Sequence, residues 1–166
     1  PKRELVFPPS HGARNAKVVA SILTGRDEVL PVMLFDGDEA GKKMARDMEN
    51  GLYQAAKERV LSTDKYVEFE NSEIEDLFPP EFLAEVVDRW ERRADTPFGD
   101  IVKAGYPIVP QIERWASSQG ITLPEGWKVE VSREAKKRAL LRGIDEFESA
   151  LIMRWTNLFN DFEELG

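Results

Sequence analysis

The chain has 166 residues, 42% of them hydrophobic and 33% charged, with a formal net charge of −8; this is enough for one domain with its own core or for a domain carrying a helical appendage. It contains no cysteine and a single histidine, His11, which excludes disulfides, thiolate zinc sites, cysteine nucleophiles and multi-histidine metal centres, so any metal has to be held by oxygen and is expected to be magnesium, manganese or calcium. The acidic surplus argues against bulk attraction to a polyanion, though it allows a local basic face.

In chain order, Leu5-Val6-Phe7 predicts a short strand closed by Pro8-Pro9 and the turn Ser10-His11-Gly12, with His11 read as a turn residue. Asn15 to Leu23 predicts a helix with Val18, Val19, Ile22 and Leu23 on its packed side and Gly25 as its stop. Val32 to Phe35 is an apolar run of strand length. A long helix is expected from Glu39 to Leu61, because Ala40, Met44, Met48, Leu52 and Ala56 recur every fourth residue. A third strand is expected at Tyr66 to Phe69. Strands joined by helices of this length form βαβ units, so the sheet should be parallel and its ligands should bind beyond the carboxyl ends of the strands.

After Asn71 the pattern turns helical. Pro79-Pro80 opens a helix to about Arg92, Asp95 to Pro110 reads as loop, Gln111 to Ser118 as a short helix and Ile121 to Gly126 as a connector. The last forty or so residues are helical in pattern, with a break at Gly143-Ile144-Asp145 and a capping box formed by Asp145 and Glu148. Phe147, Leu151, Trp155, Leu158 and Phe162 make a continuous apolar seam, and the four tryptophans are expected in the core. The fold expected is therefore α/β, a parallel sheet flanked by helices over residues 1–80, followed by an all-helical region over 81–166. No apolar run is long enough to cross a bilayer and no signal or lipidation motif is present, so a cytoplasmic location is expected. The first residue is Pro1 rather than Met, and the chain is read as a piece of something longer.

Asp36 and Asp38 carry the chemistry. They follow the apolar strand two residues apart, and strand side chains alternate, so both carboxylates should converge beyond its end and require a cation. Such a pair is compatible with a helix cap, a nucleophile pair or a metal clamp. A second group, Glu68 to Asp76, has five acids in nine residues; Ser72 and Glu75 fit a capping box, and Glu73, Glu75 and Asp76 suit a helix N-terminus or a shared cation. Basic residues cluster at Arg14 and Lys17, at Lys42, Lys43 and Arg46, and from Lys128 through Lys136 to Arg142. Most of these read as solvated helix faces.

The run LFDGDEAGKK resembles the second signature of the Toprim family, the catalytic module of primases, topoisomerases and OLD (overcoming lysogenization defect) nucleases. Ala40-Gly41 stands where that family opens the following helix, whereas dehalogenase-type enzymes want Thr or Val at position 40. SEIEDLFPPEF is similar to the Ile-Glu-Asp-Leu stretch of OLD nucleases, and GWKVEVSREAKK to the region of their catalytic lysine. The resemblance implies a Toprim-like fold and a magnesium- or manganese-dependent DNA endonuclease or nickase using two ions. Asp36, Asp38, Glu73, Glu75 and Asp76 would be metal ligands, with Lys128, or Lys136 as its rival, stabilising the transition state. Arg14, Lys42, Lys43 and Lys136 would meet DNA. The implied partners are DNA and an ATPase domain of the same full-length protein, with a homodimer left open and no membrane.

One departure matters: Toprim domains begin with a strand ending in Glu-Gly, and this chain starts at what would be the second strand. Glu4 precedes Leu5-Val6-Phe7 and so lies at the wrong end to replace that glutamate. On this reading the isolated chain is weak or inactive. Two alternatives stay open: a Toprim fragment of a primase or topoisomerase, and a non-catalytic dimerisation or interaction domain whose acids are surface charge.

Overall fold

A computed structural model of the protein describes residues 13–27, 29–143, 147 and 149–166. The expected strand at Leu5-Val6-Phe7, the turn at His11 and the capping box of Asp145 and Glu148 lie outside the described residues. The chain divides into two units, Pro1–Ile74 with Arg154–Gly166, and Glu75–Met153. Its described part is mixed α/β and mostly helical, with six α-helices and one two-stranded parallel sheet. Among these residues no helix is long and apolar enough to cross a membrane.

The first unit contains helix α1 (Ala13–Asp27), strand β1 (Met33–Phe35), helix α2 (Glu39–Glu49) and strand β2 (Val60–Ser62). The strands pair in parallel, Met33 with Val60, Leu34 with Leu61 and Phe35 with Ser62. The core is Ala16, Ala20, Phe35, Met48 and Tyr53, with Met33, Met44 and Val60 packed on it. Here the face expected of α1 is corrected. Val18 and Ile22 are exposed, and the buried positions are Ala16 and Ala20, four residues apart, whose small side chains let the helix lie close to its neighbours.

The expected long helix is also corrected. Asp38 caps α2 and Glu39 suits its N-terminal turn, but the helix ends at Glu49, with Asn50 as C-cap and Gly51 next. The four-residue repeat continues through Leu52 and Ala56 only in sequence, for residues 51–55 turn and Val60–Ser62 is the second strand. The strand expected at Tyr66 to Phe69 is therefore displaced by six residues. Tyr66 and Val67 are buried as their apolarity demands, but they lie in turn and bend after a 3-10 turn at Thr63–Lys65. Once the backbone of Val60–Ser62 has paired with β1, the chain turns back at the sheet's carboxyl edge.

The C-terminal part of α6 (Ser149–Leu165) belongs to this unit. Asp161 accepts hydrogen bonds from Lys65 Nζ at 2.7 Å and from the Tyr66 hydroxyl, fastening the helix to the turn after β2. Of the expected seam, Leu158 is buried, while the rings of Trp155 and Phe162 both contact Phe159.

The second unit is helical: α3 (Pro80–Trp90), α4 (Ile108–Ser118) and α5 (Trp127–Arg142). Pro80 occupies the first turn of α3, where a missing N–H costs nothing. Phe82, Leu83, Val86 and Val87 from α3 form the core with Ile108, Ile112 and Trp115 from α4 and Val131 and Ala135 from α5. Trp115 is buried, its indole N–H donating to the Thr96 carbonyl at 2.8 Å; Trp90 and Trp127 are partly buried against this core. α4 starts at Ile108, inside the segment expected to be loop, because Asp76 Oδ1 receives the Ile108 N–H at 2.8 Å and so satisfies a first-turn donor. α5 ends at Arg142 and is capped by Gly143, whose φ of 78° favours glycine.

Candidate functional site

β1 and β2 end side by side, so the residues after each strand meet at one edge of the sheet. After β1 come Asp36, Gly37 and Asp38; after β2 come Thr63 and Asp64. The backbone of Asp38 is extended and its Oδ1 accepts the Gly41 N–H at 2.7 Å, making it the N-cap of α2. Asp36 Oδ1 accepts the Ile74 N–H at 3.2 Å. Gly37 is buried, and its N–H points to both the Ser72 carbonyl at 2.7 Å and the Thr63 hydroxyl at 2.9 Å.

The two glycines of the motif are required by close approach. A Cβ at Gly41 would overlap the carbonyl oxygen of Asp36, and one at Gly37 would overlap the Asp64 carboxylate. Asp64 is held in place: its Oδ1 accepts the Ser72 N–H at 2.9 Å and the Ser72 hydroxyl at 2.7 Å, while its Oδ2 lies 3.2 Å from Lys42 Nζ. Burial pushes the Asp64 carboxyl up, but the two bonds from Ser72 and the Lys42 ammonium outweigh it and leave its pKa below the ordinary value.

Thr63 and Asp64 form the part of this edge that the acid motifs alone do not identify, while Ser72, named in the acidic run for a capping box with Glu75, gives its hydroxyl hydrogen to Asp64 Oδ1. The signal was present: Val60-Leu61 followed by Ser62-Thr63-Asp64 repeats the pattern of an apolar strand running into polar residues. It was concealed by the four-residue repeat that carried the expected helix through to Leu61.

The remaining site residues divide between the two units. Asp36, Asp38, Lys42, Lys43 and Glu73 belong to the first; Glu75, Asp76, Lys128 and Lys136 belong to the second. Glu73, Glu75 and Lys128 are partly buried, and Asp76 is buried on the α4 amide. Glu75 and Lys136 line an otherwise mostly apolar cavity of about 510 Å³ with Phe78, Leu83, Val131 and Phe147. Lys43 is exposed, whereas Lys42 also bonds to Asn71 Oδ1 at 3.2 Å. Arg138 and Arg142 both grip Glu85. The side chain of Arg14 lies outside the described residues.

Asp36 and Asp38 provide oxygen donors alone, which suits a hard cation. Among the described residues no three acids or histidines converge on one point. A two-carboxylate set nevertheless fits magnesium, which is commonly held by one or two carboxylates with water and substrate phosphate completing its shell. An oxygen that accepts an N–H still has lone-pair capacity, so the cap made by Asp38 is compatible with ligation. No family model, curated protein or solved structure matches the chain.

Proposed function

We propose that the chain is the metal-binding part of a Toprim-type nuclease of the OLD kind, hydrolysing DNA phosphodiesters with magnesium or manganese. The observation that carries this reading is the Asp36-Gly37-Asp38 turn, set at the carboxyl end of a parallel strand and at the N-terminus of α2. That is where ligands of parallel sheets gather, and α2 adds the favourable end of its dipole for an anion such as phosphate.

Asp36 and Asp38 would hold the ion, and of the further ligands expected in the acidic run, Glu73, Glu75 and Asp76, Glu73 is the one that shares their unit. A bound divalent ion would supply charge neutralisation at the phosphate and lower the pKa of a coordinated water. The chain's own contribution is orientation. Asp36 is held by the Ile74 amide, Asp38 by the Gly41 amide, and exposed Lys43 on α2 offers a cation to a backbone phosphate.

A second reading, a non-catalytic interaction domain, is favoured by one observation: Asp38 already caps α2, a task an aspartate performs without any metal. Plasmid nicking by the full-length protein separates the two. The nuclease reading expects magnesium- or manganese-dependent nicking that falls at least about a hundredfold in Asp36→Ala, a loss of some 2.7 kcal/mol of transition-state stabilisation. Nicking that Asp36→Ala leaves intact sinks it.

A further inference from the structure

We infer that Thr63, Asp64 and Ser72 are positioning residues for the Asp36-Gly37-Asp38 turn, holding it in the shape in which its carboxylates take a divalent cation. The cation half of this inference rests on the function proposed above; the positioning half stands on the contacts alone.

Thr63 and Ser72 are both 0% exposed, although each carries a hydroxyl, and buried polar groups persist only where they are satisfied. The bonds they make converge on Gly37. The Gly37 N–H is shared between the Thr63 hydroxyl and the Ser72 carbonyl, and the Thr63 hydroxyl in turn donates to that carbonyl at 2.8 Å. Ser72 is fixed from the other side by Asp64 Oδ1, which receives both its N–H and its hydroxyl. The Asp64 carboxylate also fills the space beside Gly37 where a side chain would stand. Lys42 closes the ring by reaching Asp64 Oδ2 and Asn71 Oδ1 from α2. Asn71 has a φ of 60°, the only positive value at a non-glycine among the described residues, and asparagine tolerates that conformation better than most. The turn between the two aspartates is thus gripped on its amide and on its open face by residues outside the motif. Such outer partners set how well ligands converge on an ion.

The test uses the 166-residue chain with manganese as the probe, read by electron paramagnetic resonance, together with hydrogen exchange of the Gly37 amide. Thr63→Val, which keeps the shape and removes the hydroxyl, and Asp64→Ala should each weaken manganese binding about tenfold or more and speed Gly37 exchange. Thr63→Ser should restore both. Should Thr63→Val not fold, Ser72→Ala, which removes a hydroxyl but keeps the carbonyl on Gly37, is expected to give a smaller loss of the same kind. Unchanged affinity and unchanged Gly37 protection in Thr63→Val and Asp64→Ala overturn the inference, as does a Thr63→Ser variant as impaired as Thr63→Val. If the wild-type chain binds no manganese, it is the metal reading that falls. Gly37 exchange then decides the positioning role by itself, and equal protection in all variants refutes it.

Discussion

The Asp64 carboxylate rests on the backbone of Gly37, in the space a side chain there would occupy. Asp64 is fixed by Ser72 and Lys42 and so has little room to swing aside. Gly37→Ala is therefore expected to destabilise the first unit by about 1–3 kcal/mol through overpacking. Gly41→Ala should cost more, since its Cβ would meet the Asp36 carbonyl oxygen and a backbone atom yields less readily than a side chain. Gly25→Ala provides the opposite sign: nothing lies within 4 Å of a Cβ there, and α1 should gain about 0.5–1 kcal/mol from the lost flexibility of glycine. Urea unfolding of the three variants checks the order.

The clasp between α6 and the turn after β2 makes a prediction at acid pH. Burial pushes the Asp161 carboxyl up, but the Lys65 bond, the Tyr66 hydroxyl and the Lys65 charge outweigh it, and its pKa lies below the ordinary value. A carboxyl depressed in the folded state contributes stability that is present above its unfolded pKa, about 3.9, and lost as the pH falls through the lower folded value. Asp64 acts in the same direction. Asp161→Asn should thus be less stable than the parent at pH 7, with the gap closing below about pH 4. A gap that stays constant down to pH 2 would show that the charge of Asp161 contributes nothing.

These positions also show what the sequence makes legible. Strand β1, the cap at Asp38 and helix α3 behind Pro79-Pro80 follow from local signals, namely apolar run length, capping chemistry and proline at a first turn. β2 was hidden because three residues are too few for a period of two to stand out, and because Met44 and Met48 extended in register to Leu52 and Ala56. Asn50-Gly51 was the stop signal that should have outweighed that repeat. In α1 hydrophobicity pointed to Val18 and Ile22, yet close packing selected Ala16 and Ala20. Asp36 and Asp38 were visible as a pair, whereas the role of Asp64 depends on strand register, a tertiary fact.

Tyr53 gives the alkaline counterpart. It is fully buried, and its hydroxyl donates to the Pro31 carbonyl at 2.7 Å. Burial raises its pKa to about 12, with the nearby Arg59 charge pulling the other way. A group whose folded pKa is raised contributes stability that is intact below the unfolded value, about 10, and lost as pH climbs through the folded one. The chain should therefore lose stability between about pH 10 and about 12, and Tyr53→Phe should lack that share of the loss. At neutral pH the same variant should cost about 1 kcal/mol, because the Pro31 carbonyl loses its donor. Thermal unfolding at pH 7 and pH 11 separates the two effects.

Lys42 and Lys43 are neighbours on α2 with different surroundings, and DNA binding should tell them apart. Lys43 is exposed, so under the proposed function its ammonium is available to a phosphate. Lys42, with a side chain 28% exposed, is committed to Asp64 and Asn71. Lys43→Ala is expected to weaken binding evenly across sequences and to reduce the salt slope by about 1. Lys42→Ala should leave that slope unchanged and instead release Asp64: with one of its stabilising partners gone, the carboxyl should titrate at a higher pH than in the parent, measurable by NMR. Equal losses of salt slope in the two variants would mean that Lys42 leaves Asp64 when DNA binds. In that case Asp64 would face the aspartate turn without its counter-charge, and DNA binding should tighten manganese binding at the same edge, because an added unpaired carboxylate favours a cation.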